Sequence, residues 1–262
     1  MPNMSNRKFN ALYCLFKGEP GTRKSSAALS FPGPIYYFDW DMKMDALELP
    51  IRKWGINPSS IDYDIYKDWD SARIKLESFQ LNCKYKTIVI DSITSMADAA
   101  IRQTLKFKGG SGKKIGTIPV GGFDEYNAES AAISELIALT KDIKEYHQCN
   151  VILIGHIIQK EVKSPNGQTH MARLLVTAGK SPAQKIPAYC SEIYHFNMVT
   201  SMNADKGMQY ALRTTHTGDD FARSSLELPS EIIFDNSPLY DGWIKPALDK
   251  MTVSDGTQAQ VK

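Results

Sequence analysis

No stretch of this 262-residue chain is apolar over the roughly 18 to 20 residues that a membrane-spanning helix needs. The start, MPNMSNRKFN, is polar and lacks the hydrophobic segment of a secretory signal. The expectation is a chain that contacts no membrane and works in the cytoplasm. An excess of one charge sign is missing too: 31 Lys and Arg stand against 29 Asp and Glu, a net +2. Any nucleic-acid surface must therefore be a local patch. Cysteine is sparse, and Cys14, Cys83, Cys149 and Cys190 show no metal-ligand spacing. They read as reduced and mostly buried. Without an internal repeat or a long linker, one domain able to bury a full core is expected.

What is present is an alternation of two patterns. Short apolar runs at Ala11 to Phe16, Ile35 to Phe38, Thr87 to Ile90 and Val151 to Ile154 suit strands buried on both faces. Helical spacing covers Ser71 to Leu81, Ser92 to Lys106 and Glu129 to Tyr146. Together they predict an α/β fold with a mainly parallel sheet flanked by helices. After Ile158, Lys160 to Lys163 and Met171 to Val176 flank the turn Ser164-Pro165-Asn166-Gly167 and read as a hairpin, with further strands at Glu192 to Met198 and Gln209 to Thr215. Residues 1–9 are assigned to an N-terminal extension, 10–250 to the domain, and 251–262 to a flexible C-terminal tail.

The first apolar run leads into Gly18-Glu19-Pro20-Gly21-Thr22-Arg23-Lys24-Ser25, followed by Ser26-Ala27-Ala28-Leu29, which can open a helix. A phosphate-binding loop needs small residues so that backbone N–H groups can surround phosphate oxygens. It also needs a lysine for the outer phosphates and a hydroxyl for magnesium. Gly18, Gly21, Lys24 and Ser25 meet these demands, and the candidate nucleotide contacts run from Gly18 to Ser26. One departure is Arg23, where the pattern wants glycine; its side chain can restrict the backbone or crowd the nucleotide. The rival reading is an ordinary strand–turn–helix with a basic cap.

Acids close two later runs. Asp91 ends Thr87-Ile88-Val89-Ile90 and suits the metal side of the loop, or else it or Ser92 caps the next helix. Asp41 is the first choice, and Asp39 the second, for a carboxylate that polarises an attacking water; the alternative is a polar turn around Trp40. His156, after Val151-Ile152-Leu153-Ile154-Gly155, can contact a γ-phosphate or be an ordinary satisfied histidine.

In this order the elements resemble the RecA-like P-loop ATPases over roughly residues 10 to 215. Within them the chain looks most like the small phage-encoded ATPases of single-strand annealing and homologous recombination, including Pro182 to Phe196 and Leu226-Glu227-Leu228-Pro229. Carried over by position, the resemblance implies ATP and Mg2+ as cofactors, with Ser25 and Asp91 at the metal. It implies a catalytic set of Lys24, Asp41, Asp91 and His156. Family members commonly carry glutamate at the Asp41 position and glutamine near His156, which bears on the rate of hydrolysis. It also implies a homo-oligomeric ring or filament, with Lys180, Lys185, Arg213 and Arg223 as candidates to reach a neighbour's nucleotide. A single-strand-binding protein is a further partner of that kind of machinery.

Single-stranded DNA is the expected substrate surface. The stretch from Lys106 to Gly116, with Lys106, Phe107, Lys108, Lys113 and Lys114, reads as a mobile loop that tracks phosphates and stacks a base. Lys160, Lys163 and Arg173 on the hairpin after His156 are the second set. The rivals are a nucleotide-gated DNA-binding oligomer with little hydrolysis and a ring-shaped helicase or loader motor.

Overall fold

The computed structural model describes residues 11–108, 114–115, 118–119, 122–163, 167, 169–177, 180–201, 207–218, 220–234 and 237–257. Strand β1 (Tyr13–Gly18) leads into α1 (Lys24–Leu29), and β2 (Ile35–Asp39) is followed by α2 (Glu48–Lys53). Next come β3 (Ile61–Ile65), α3 (Trp69–Leu81), β4 (Thr87–Asp91), α4 (Ile93–Lys108) and the short pair β5 (Lys114–Ile115) and β6 (Ile118–Pro119). The chain continues through α5 (Phe123–His147), β7 (Asn150–Lys163), β8 (Thr169–Leu175), α6 (Lys180–Tyr189), β9 (Glu192–Thr200), β10 (Met208–Arg213), β11 (Glu231–Ile233) and α7 (Lys245–Thr257).

The main sheet runs β11-β10-β9-β1-β7-β4-β2-β3, with β8 paired to β7. The pairs from β3 through β9 are parallel, whereas β7–β8, β9–β10 and β10–β11 are antiparallel. This is the mainly parallel α/β architecture, flanked by helices, expected from the alternating runs.

Side chains alternate across each strand. In β1, Tyr13 and Leu15 pack with α3, α4 and α5 residues such as Leu76, Met96 and Leu136, while Cys14 and Phe16 pack with Ala28, Leu29 and Ala247 of α1 and α7. A strand buried on both faces must be apolar throughout, which explains its unbroken run. The cysteines are free, with Cys14, Cys149 and Cys190 buried. Among the described residues no helix is long and apolar enough to cross a membrane.

Several elements depart from the sequence pattern. Strand β3 lies at the sheet edge, so most of its residues are exposed and it lacks a strong apolar signature. Helix α6 carries Pro187 inside it, and neither it nor β11 shows a long periodic run. Helix α7 extends through Thr257, past the start of the expected tail. Lys106, Phe107 and Lys108 belong to the last turn of α4 rather than to a loop, because helical residues continue past Leu105, and Lys114 sits in β5. Lys113 lies outside the described residues.

Candidate nucleotide-binding site

The carboxyl ends of β1, β2, β4 and β7 meet at one edge of the sheet, where α/β folds place ligands. Gly18 is in register with His156, Asp39 with Asp91, and Asp91 with Ile154. Parallel pairing thus converts residues scattered over 139 positions of sequence into one site, spanning Gly18 to His156.

The loop after β1 is shaped by its backbone. Gly21 has φ +81° and Arg23 φ 63°, both left-handed. At Gly18 a Cβ would stand 2.3 Å from the Phe196 carbonyl oxygen, because β9 presses against this strand end. Glycine is demanded there by the neighbouring strand. Arg23 turns its guanidinium onto the Tyr210 ring, 3.8 Å from the centroid. The cost of a left-handed non-glycine residue is about 1 kcal/mol, and the stack offsets it. The side chain is thereby held against β10.

Lys24 reaches back over the loop. Its Nζ donates to the carbonyls of Gly18 at 2.9 Å and Glu19 at 2.7 Å, and lies 3.4 Å from Thr22 Oγ1. Burial lowers its pKa to about 8, with the Asp91 and Asp41 carboxylates opposing the shift. Arg23, the N-cap of α1, makes no side-chain cap bond to the helix's first turn, so those N–H groups suit an anion.

Asp91 is buried at the end of β4. Its Oδ2 accepts hydrogen bonds from Ser25 Oγ and Tyr37 OH. Burial raises its pKa, and those two hydroxyls together with Lys24 work against that rise. Capping of α4 falls to Ser92, whose Oγ accepts from Ser95 N at 3.2 Å.

Asp41 sits opposite. Its Oδ1 accepts from Ser92 Oγ at 3.1 Å and from Ser95 Oγ; its Oδ2 lies 3.4 Å from both Lys43 Nζ and His156 Nε2. Burial pushes its pKa up, but His156, Ser95 and Lys43 together hold it far below the ordinary carboxylate range. Asp39, the second choice, is a turn anchor instead: its carboxylate accepts from the Lys43 and Met44 backbones at 3.0 and 3.3 Å. His156 also receives support through its own N–H, which donates to Thr94 Oγ1 at 3.2 Å.

The donor set fits Mg2+ and ATP. Ser25 and Asp91 offer the hard oxygens magnesium prefers, Lys24 offers a buried cation, and the close β1–β9 approach at Gly18 leaves no room for a Cβ. Among the described residues no group of three or more His, Cys, Asp or Glu is arranged to cage a metal alone. Magnesium completing its shell with water and phosphate needs no such cage. A hollow of about 430 Å³ lined by Leu29, Trp54, Tyr240 and Lys245 adjoins the opposite end of α1 and holds none of the sequence-selected residues.

Beyond the site, β7 continues past His156 into the hairpin with β8. Lys160 and Lys163 are exposed on it, and the partly exposed Arg173 pairs with Gln159 across the ladder. Gln159 Nε2 donates to Glu19 Oε1 at 3.2 Å, joining hairpin to loop. Lys106 and the 80% exposed Phe107 stand on a separate element, the end of α4. Of the candidates to act on a neighbour, Arg223 spends its donors on the Cys190 and Pro187 carbonyls at the end of α6, Arg213 pairs with Glu231 at 3.6 Å, and Lys185 is exposed. Nothing is described of the Lys180 side chain beyond its place at the start of α6. Tyr37, Thr94, Ser95 and Gln159 join the site without having been selected by sequence. A hydroxyl one helical turn after Ser92 was the available signal for Ser95; no local pattern marks the others.

No curated protein matches this chain. Among solved structures, a KaiC-like protein from the hyperthermophilic archaeon Pyrococcus horikoshii is similar at 11% identity and a TM-score of 0.46, covering 85% of this chain and 89% of that one. The family model described as "AAA domain" matches residues 10–226, most of the chain and the whole of the site, so the chain belongs to that family of P-loop ATPases.

Proposed function

We propose that the protein is a magnesium-dependent ATPase that binds single-stranded DNA, works as a homo-oligomer and promotes annealing or homologous recombination. The observation that carries this reading is the continuity of β7. One strand holds His156 against Asp41 at the nucleotide edge and, four residues on, presents Lys160 at the start of an exposed basic hairpin.

The geometry supports a role for each residue in this reading. Lys24 carries charge to the outer phosphates once they replace the loop carbonyls as its acceptors. Ser25 and Asp91 hold the cation. Asp41 orients a water, and His156, fixed by Asp41 and Thr94, senses the terminal phosphate. A positive hairpin binds DNA through phosphates with little sequence preference.

ATP turnover measured with and without single-stranded DNA tests the reading. Stimulation by DNA, abolished in Lys24→Ala and in a hairpin variant, is the expected result; turnover indifferent to both substitutions overturns it. A second reading, a nucleotide-gated DNA-binding oligomer with little hydrolysis, is favoured by the four donors already gathered on Asp41. A carboxylate so occupied is a weak proton acceptor. ATP-dependent DNA binding without phosphate release distinguishes this case.

A further inference from the structure

The Asp91 carboxylate receives two hydroxyl donors on one oxygen. Ser25 Oγ and Tyr37 OH both donate to Oδ2, and no described donor is bound to Oδ1. Ser25 belongs to the loop and is expected to turn its lone pairs to the cation. Tyr37 does not belong to the loop at all. It stands in β2, 1% exposed, with its ring packed among Ala28, Val89 and Ile154 between the sheet and α1. Its hydroxyl is the one polar atom at the tip of a large apolar side chain, so burying it requires an acceptor.

The β2–β4 register explains the reach. Tyr37 pairs with Val89, two residues before Asp91 and on the same face of the sheet, and the length of the phenol spans that offset. A flexible donor would lose rotamer freedom each time it met the carboxylate. A ring wedged in the core has already lost it.

We propose that Tyr37 is a positioning residue for the cation site: by anchoring Oδ2 it fixes the rotation of the Asp91 carboxylate and presents Oδ1 toward the magnesium shell. This rests on the nucleotide-site reading above. Partners of this kind, which touch a ligand rather than the metal, typically contribute about 10- to 100-fold to metal affinity.

The test uses Tyr37→Phe in the full chain, which keeps the ring and removes only the hydroxyl. Mn2+ binding is followed by electron paramagnetic resonance in the presence of a non-hydrolysable ATP analogue, beside the Mg2+ dependence of turnover. The expected result is a Mn2+ affinity and a half-saturating Mg2+ concentration each weakened about 10-fold or more, with kcat at saturating Mg2+ within about twofold of the parent. Unchanged metal affinity in Tyr37→Phe, with affinity abolished in Asp91→Ala, overturns the proposal and leaves the site reading intact. If Lys24→Ala and Asp91→Ala also bind nucleotide and metal normally, the site reading itself fails. Should Tyr37→Phe not fold, 3-fluorotyrosine placed at position 37 gives a second readout. Its fluorine resonance should shift when Mg2+ joins the bound analogue, and a resonance indifferent to the metal overturns the proposal.

Discussion

The guanidinium of Arg23 lies 3.8 Å above the ring of Tyr210, joining the least orthodox residue of the phosphate loop to strand β10. The stack explains how arginine is accommodated there. Its backbone adopts the left-handed shape glycine would take freely, and its side chain packs on an aromatic face. A consequence is an inverted order of substitutions. Arg23→Gly should stay within about 1 kcal/mol of the parent, because relief of strain compensates for a missing stack worth roughly 0.5–1 kcal/mol. Arg23→Ala keeps the strain without the stack, so it should be the less stable of the two by thermal denaturation. An alanine variant more stable than the glycine variant would refute the strain account.

Two glycines at the site edge should differ sharply. Gly18→Ala places a Cβ against the Phe196 backbone, which cannot move without shifting β9. Gly155→Ala meets the end of the Leu175 side chain at 2.5 Å and Ile93 at 3.3 Å, both of which can rotate. Costs of about 3 kcal/mol and about 1 kcal/mol are expected from overpacking. Chemical denaturation of the two variants measures the difference, and nucleotide affinity should fall only for Gly18→Ala.

Beneath the loop, Lys17 Nζ pairs with Asp220 Oδ1 at 2.5 Å, with side chains 5% and 1% exposed. His195 Nδ1 stands 2.9 Å from Asp220 Oδ2 without hydrogen-bond alignment. Burial works against the Asp220 carboxylate, but His195 and Lys17 more than offset it and hold its pKa below the usual value. Burial lowers the pKa of Lys17. Asp220 therefore adds stability that is present above the ordinary carboxylate range and is lost as pH falls below it. Lys17 gives a slope of the same sign at higher pH: stability rises with pH between its lowered value and 10.5, where only the unfolded chain holds the proton. Asp220→Ala should cost about 3–5 kcal/mol by stranding a buried ammonium, and that variant should regain stability as pH rises toward 10. The double variant Lys17→Met, Asp220→Leu should recover most of the loss at pH 7. Equal stability of the single and double variants would count against a charge effect.

Replacing Lys160, Lys163 and Arg173 together by alanine should weaken single-stranded DNA binding and flatten its salt dependence, by about 0.7 in log–log slope for each phosphate no longer neutralised. ATP affinity without DNA should be unchanged. A salt slope equal to that of the parent would remove the hairpin from the DNA path.

Asp41→Asn keeps the shape of the carboxylate while changing what it can accept. Turnover should fall by about 10²- to 10⁴-fold if Asp41 handles the attacking water, with nucleotide binding retained in a fluorescence titration. Turnover close to the parent's would show that the water is held elsewhere.

Much of the central sheet was legible because strands buried on two faces must be continuously apolar, and β1, β2, β4 and β7 each show such a run. Strand β3 was not, since an edge strand with an exposed face meets a weaker constraint. Asp41 and Asp39 show the limit for the site. They stand two residues apart where β2 ends, and the sequence only ranked Asp41 ahead of Asp39; three-dimensional packing aims one at Ser92, Ser95 and His156 and the other at the backbone of residues 43 and 44.

The residues alone determined that a candidate phosphate loop follows the first strand, that acids close the second and third apolar runs, and that the chain carries no bulk charge. Local spacing and chain composition carry that information because a phosphate cradle is built from consecutive backbone N–H groups. Only the tertiary structure decided that Gly18 is required by the Phe196 carbonyl, that Arg23 is steadied by Tyr210, and that Tyr37 supports Asp91. These are contacts between strands and loops far apart in sequence. Parallel pairing sets which residues stand side by side, and no stretch of sequence records that register by itself.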